Sequence, residues 1–216
     1  MILCTLKIYM KENKKTQTQV AKETGLNRPT LFQLINNENK NVKYETVEAL
    51  CRYFNITIND LLIYSPINIA FCNVEIDKVK TSKDIETYKI VASYKFNDEV
   101  YQFSGSVEMK NNEVIYENFY GTTIDSISLT CSITKEKYIK LIEDGFDENF
   151  FDQYNELFDI RNIIYNHLSI KNSHDIYFRF NIDGMPNVFE VMNNIRLLTG
   201  SEKELIQAYL RDEFKL

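Results

Sequence analysis

Between Thr16 and Asn37 the chain reads TQTQVAKETGLNRPTLFQLINN, and this stretch leaves its backbone few choices. Val20 and Ala21 are followed by Gly25, then by Leu31 and Leu34, a spacing that gives two short helices one shared apolar surface. Thr16 is placed to cap the first helix, and Gln19 three residues on completes a capping box. Gly25 stands where that helix must stop. Without a Cβ it can take a left-handed turn and let the next helix cross closely. Asn27 can cap the second helix, and Pro29 falls in its first turn, where a missing N–H costs little. The side chains left over on the second helix are Asn27, Arg28, Thr30, Phe32, Gln33 and Asn36. Most are short and hydrogen-bonding, which suits the edges of base pairs and phosphates.

The flanks extend the pattern. Ile2, Leu3, Leu6, Tyr9 and Met10 recur at helical spacing and predict a first helix ending near Asn13 to Lys15. After the polar loop ENKNVK, the segment YETVEALCRYF carries Val47, Leu50, Cys51 and Phe54 on one stripe. Asn55-Ile56 breaks that helix, and INDLLIY supplies a last short one capped by Thr57 or Asn59. Caps, turns and apolar spacing agree throughout, which is stronger than any single propensity. Val20, Ala21, Leu31, Leu34, Val47, Leu50 and Leu61 are the expected core.

Thr16-Gln17, Val20-Ala21, Gly25, Thr30-Leu31, Leu34 and Asn36, followed by Val47, Leu50-Cys51 and Asp60-Leu61-Leu62, resemble the Cro/phage-repressor class of helix-turn-helix regulators. The class is also called xenobiotic-response-element-like, and the resemblance covers about residues 2–64. It implies that the helix opened by Gln17 abuts the DNA backbone, with Gln17 on a phosphate, and that residues 28–36 enter the major groove. It places Asn27, Arg28, Pro29 and Gln33 nearest the bases. Pro29 departs from the family, in which that position is often polar. Proline cannot donate, so base reading leans on Arg28 and Gln33. Chemistry ranks them alike, since arginine can pair bidentately with guanine and glutamine with adenine. Thr16, Asn36, Lys14, Lys15, Lys40 and Lys43 flank the motif as candidates for phosphate contact. The competing reading of Arg28 is an ion pair with Glu23 or Glu38. Phe32 has three: packing on the helix edge, a methyl contact, or a contact between copies.

The net charge of -6 argues against a protein coated in nucleic acid, but it hides an asymmetry. Residues 1–66 carry nine Lys/Arg against six Asp/Glu, and residues 67–216 carry sixteen against twenty-five. A mildly basic front and an acidic rear fit docking on DNA by the front alone. Cys4, Cys51, Cys72 and Cys131 form no C-x-x-C pair, and His167 and His174 have no cysteine nearby. The expectation is reduced, buried cysteines with no metal and no cofactor. The opening MILCTLKIYMKENKK has no long apolar run or cleavage site, and nothing approaches about 18 consecutive apolar residues. A soluble, cytoplasmic protein is expected.

Beyond Tyr64-Ser65-Pro66 the period changes. YKIVASYKF puts Ile90, Ala92, Tyr94 and Phe96 on one face, and VYQFSGSVEM does so with Tyr101, Phe103, Gly105, Val107 and Met109. Asn97-Asp98-Glu99 joins them as a hairpin. SISLTCSI is a third strand, and DIYFRFNI with NVFEVM a second hairpin about Asp183-Gly184. TKEKYIKLIEDG and FDENFFDQYNELFDIRNIIYNHL read as helices, and SEKELIQAYLRDEF as a last one capped by Ser201. The linker is short, so the two parts are expected to be coupled in orientation.

No catalytic pattern emerges. Ser104-Gly105-Ser106 invites comparison with self-cleaving repressors, but the Ala-Gly or Cys-Gly bond these need is missing. Gly105 is better explained as a close-approach or bulge site. His167, His174 and Asp175 have no nucleophile at a useful spacing and read as surface. The carboxylates of residues 143–159 alternate with aromatics as in an amphipathic helix.

The expected architecture is an all-α five-helix Cro/repressor-type helix-turn-helix domain over residues 1–65, followed by an α+β domain with an antiparallel sheet over residues 70–216. The rear would dimerise the reader, sense a small-molecule or protein effector, or bind a partner. The functional expectation is a sequence-specific double-stranded DNA-binding transcriptional regulator, a homodimeric repressor and not an enzyme. The alternative is an antitoxin or immunity-type protein whose acidic rear binds a partner while the front autoregulates its operon.

Overall fold

A computed structural model of the chain describes residues 1–39, 41–82, 84–115, 118–119, 122–123, 126–170 and 175–184. The front begins with strand β1 (Ile2–Cys4), followed by α1 (Leu6–Glu12), α2 (Gln17–Thr24), α3 (Arg28–Ile35), α4 (Tyr44–Phe54) and α5 (Ile58–Leu61). Strand β2 (Leu62–Tyr64) returns antiparallel to β1, with Leu3 opposite Ile63.

That ladder corrects the all-α expectation. The helical spacing of Ile2 and Leu3 is overridden by pairing with the end of INDLLIY, so α1 starts only at Leu6 and α5 is one turn long. Thr57 caps α5 in a capping box with Asp60. Val20, Leu31, Leu34, Val47, Leu50 and Leu61 are buried together with Leu6 and Met10, while Ala21 packs on their edge.

The rear is a mixed sheet with helices on one face. Its strands are β3 (Ile69–Ser82), β4 (Ile85–Phe96), β5 (Glu99–Lys110), β6 (Glu113–Ile115), β9 (Ser126–Ile133) and β10 (Asp175–Ile182), with a two-residue pair β7 (Asn118–Phe119) and β8 (Thr122–Thr123) lying outside it. The order across the sheet is β10-β9-β5-β4-β3, with β6 also on β5. The β4–β5 hairpin turns at Asn97, whose φ is +51°, and β5–β6 turns through Asn111 and Asn112, both at positive φ. Both Asn111 and Asn112 thus adopt the conformation that a type I′ turn requires.

Two expectations for the rear need correcting. The sheet is not wholly antiparallel, because β9 and β10 pair in parallel from Asp175 opposite Ser126 to Ile182 opposite Ile133. A parallel neighbour needs a long crossover. It is provided by α6 (Lys135–Glu143), α7 (Glu148–Leu157) and α8 (Ile160–Leu168). The second correction is that α7 and α8 are separate. The chain breaks at Phe158-Asp159, where Asp159 takes φ +52°. The partner strand NVFEVM and the helix at Ser201 fall outside the described residues.

The faces read from the alternation are the ones buried. Ile90, Ala92, Tyr94 and Phe96 on β4 and Tyr101, Phe103, Val107 and Met109 on β5 join Phe146, Phe150, Phe151 and Tyr154 in one core. Tyr94 lies at its centre, with ring contacts to Phe71, Phe103, Phe151 and Phe178. Its hydroxyl donates to Asn155 Oδ1 at 2.6 Å. Gly105 is a close-approach site, since a Cβ there would lie 2.5 Å from the Ser128 carbonyl oxygen on β9.

The two parts touch. Leu3 is buried in the rear core, and Ser65 in the linker is buried, with its N–H donating to the Met1 carbonyl at 2.9 Å. Pro66 lies over Gly145 so closely that a Cβ there would meet its Cγ at 2.1 Å. From α1, Lys7 donates to the Leu157 carbonyl at 2.8 Å and pairs with Asp159, while Lys11 pairs with Glu156 at 3.2 Å.

Candidate nucleic-acid interface

The turn between α2 and α3 is built from its own side chains. Thr16 Oγ1 accepts from the Gln19 N–H, and Gln19 Oε1 accepts from the Thr16 N–H at 2.8 Å. Gly25 ends α2 at φ +74°. Asn27 Oδ1 accepts from the Thr30 N–H at 2.8 Å, and Pro29 occupies the first turn of α3. Gln17 then joins the two helix starts, its Nε2 donating to the Arg28 carbonyl at 2.9 Å. One amide hydrogen of Gln17 is used there, and the other has no partner among the described residues.

Leu31 and Leu34 are fully buried, which fixes the rotation of α3. Arg28, Pro29, Phe32, Gln33 and Asn36 therefore lie on its exposed side. Among the described residues Arg28 forms no ion pair, so neither Glu23 nor Glu38 takes it. Glu23 is instead held by Lys15 at 3.1 Å and by the Tyr53 hydroxyl, which donates to it. Tyr53 and then Lys15 keep the Glu23 carboxyl below its ordinary range, while Tyr53 and then Glu23 raise Lys15. Lys15 is thus committed within the fold. Lys14 and Lys43 are exposed, whereas Lys40 lies outside the described residues. Asn36 is the C-cap of α3 and exposed.

One residue that positions the interface escaped the sequence reading. Asn37 follows α3 at φ +57°, and the Glu38 N–H reaches back to the Gln33 carbonyl at 2.9 Å, which closes a Schellman-type end. The Asn37 amide then grips β1 from both sides: Oδ1 accepts from the Cys4 N–H at 2.6 Å, and Nδ2 donates to the Cys4 carbonyl at 3.1 Å. The C-terminal end of α3 is so anchored to the terminal strand. An Asn just past a helix is a recognisable end signal, but its partner 33 residues away is not readable from spacing.

The comparison with family models falls on this segment. Residues 5–66 match the Cro/C1-type HTH DNA-binding domain. The front of the chain is therefore a Cro/C1-type helix-turn-helix domain. The match ends at Pro66, the residue packed over Gly145. No curated protein and no solved structure matches the chain. No helix among the described residues is long and apolar enough to cross a membrane.

The rear offers one open, largely polar cleft of about 430 Å³, lined by Glu86, Tyr88, Met109, Asn112 and His167 among others. His167 is exposed, its Nδ1 lying 2.7 Å from the Ile163 carbonyl of its own helix. His174 lies outside the described residues. The expectation of buried cysteines holds for Cys4 and Cys131 and fails for Cys72, which is exposed on β3, and for half-buried Cys51. Burial pushes the Cys4 thiol up to about 11.

Proposed function

We propose that this chain is a sequence-specific regulator of transcription that lays α3 in the major groove of double-stranded DNA, and that it acts as a homodimeric repressor. The observation that carries the reading is the exposed side of α3, where Arg28 has no ion-pair partner among the described residues while Leu31 and Leu34 hold the helix from behind. The Cro/C1-type match supports the DNA-binding part. Arg28 meets guanine, Gln33 meets adenine, and Pro29 shapes the start of the helix beside Asn27. Phosphates fall to the second amide hydrogen of Gln17, to Thr16 and Asn36, and to Lys14, Lys40 and Lys43. Lys15 contributes least, being held by Glu23.

Two copies follow from energetics. One short helix reads about half a site, and a second copy one helical turn away raises affinity and specificity together. Repression then needs only occupancy of a promoter. The test is selection of bound duplexes from a random library by the full chain. A palindromic site is expected, with Arg28→Ala costing about 1–3 kcal/mol of binding and relaxing preference at a single base pair of each half-site. Unchanged specificity in that variant would remove Arg28 from the base contacts.

The excess of acidic residues after Pro66 favours one second reading, an antitoxin or immunity-type role in which the rear masks a basic partner protein. Stoichiometric co-purification of such a partner, with release of DNA on its binding, would support that reading over simple repression.

A further inference from the structure

Phe32 is a large aromatic side chain on the outer side of α3, where, Pro29 apart, its exposed neighbours Arg28, Gln33 and Asn36 can all hydrogen-bond. Its side chain is 53% exposed, it belongs to neither buried core, and the aromatic contacts of the front segment join Tyr9, Tyr53 and Phe54 without it. It cannot turn inward, because its neighbours Leu31 and Leu34 occupy the inner face at 0% and 2% exposure. Helical geometry places it one turn from Arg28 on one side and Asn36 on the other, and next to Gln33. A large ring therefore stands in water in the middle of a row of polar groups.

We infer that Phe32 is a specificity-determining residue that packs on the 5-methyl group of thymine, within about two base pairs of the base met by Arg28. The inference rests on the proposed docking of α3 in the major groove. In that groove the thymine methyl is the apolar group a ring can cover, and phenylalanine is among the side chains suited to it. The polar neighbours argue against the other occupant of such a patch, a second copy of this chain. Burying Phe32 against protein would desolvate the Arg28 guanidinium and the Gln33 amide beside it, at a cost unless each found a partner. A base-pair edge offers acceptors to both and a methyl to the ring.

The experiment uses the duplex selected by the full wild-type chain, remade with deoxyuridine replacing thymine at one position at a time, which deletes only the methyl group. For the wild type, uridine at one or two positions in each half-site should weaken binding about fourfold per methyl. Phe32→Ala should bind the thymine and uridine duplexes equally, at the affinity of the wild type for the uridine one. Phe32→Leu, which keeps an apolar side chain, should retain part of the preference. Wild-type binding insensitive to every uridine, or a Phe32→Ala variant as sensitive as the wild type, would overturn the inference while leaving groove docking intact. So would a change in sedimentation mass of Phe32→Ala without DNA, accompanied by unchanged sensitivity to uridine. Failure of the wild type to retain any duplex would bring down the docking itself, and the role of Phe32 with it.

Discussion

The two cores of this molecule are finished in opposite ways. In the front, aliphatic side chains around Leu6, Leu31 and Leu50 hold short helices, and the outer side of α3 keeps Arg28 without an ion pair among the described residues. In the rear, rings crowd about Tyr94, and several surface charges pair with one another, as in Lys137–Glu99 at 2.9 Å, Arg179–Asp152 at 3.3 Å and Lys78–Glu86. A charge already paired within the chain gains little from an outside partner of opposite charge. A surface that leaves donors open on a rigid helix is prepared for acceptors that the chain does not contain. The open side of α3 supports the proposed reading of DNA by the front.

The largest expected effect tests whether the cores are separate. Tyr94→Ala should destabilise the rear by about 3–5 kcal/mol in denaturant titration, through lost ring contacts and the orphaned Asn155 carbonyl. Labelling should then reach Cys131 while Cys4 stays protected. Simultaneous exposure of both thiols would show that Leu3 and Lys7 fuse the cores into one cooperative unit.

Next in size is the anchor of α3. Asn37→Gly keeps the left-handed backbone but removes both bonds to Cys4, which leaves a buried N–H and carbonyl without their side-chain partners. The expected loss is about 1–3 kcal/mol of front-segment stability. Affinity for the selected duplex should fall with it, although no group facing DNA has changed. Full affinity in Asn37→Gly would mean that α3 is positioned by Leu31 and Leu34 alone.

The smallest effect concerns pH. Glu23 is held below its ordinary value of 4.5 by Tyr53 and Lys15, so its contribution to stability is complete above that pH and is lost as the pH falls through its lowered folded-state value. Glu86 and Glu99 in the rear are lowered likewise, by Lys78 and Lys137. Glu23 and Glu99 are exposed and Glu86 partly so, and salt screens all three, so the slopes should be shallow. In acid titrations Glu23→Gln should flatten the front transition only, whereas Glu86→Gln should flatten only that of the rear.

How far the sequence alone leads differs between the halves for the same reason. Thr16, Gly25, Asn27 and Pro29 act on residues within one turn of themselves, so the α2–α3 unit could be read directly. The alternation in β4 and β5 was equally local. The 14 residues of β3 carry a weaker strand signal. At the sheet edge only Phe71, Val74 and Ile76 are half-covered, every residue after Ile76 is exposed, and the register shifts near Asn73 and Lys80. The parallel pairing of β9 with β10 depends on a three-helix crossover, and the break before α8 uses Asp159 where a glycine would have been legible. The candidate site splits in the same way. Arg28 and Gln33 follow from helical spacing, while Asn37 required the fold.

Gly145 and Lys7 finally bear on how two half-sites would be spaced by the proposed dimer. Pro66 resting on Gly145 and Lys7 bound to Leu157 and Asp159 are two attachments far apart along the chain, and together they resist the swivel that a single linker would allow. In a dimer of the proposed kind the rear domains would then act as a ruler. The gap between half-sites would be set by the geometry of the rear, and an operator with one base pair added at its centre would be refused even though every letter read by α3 was correct.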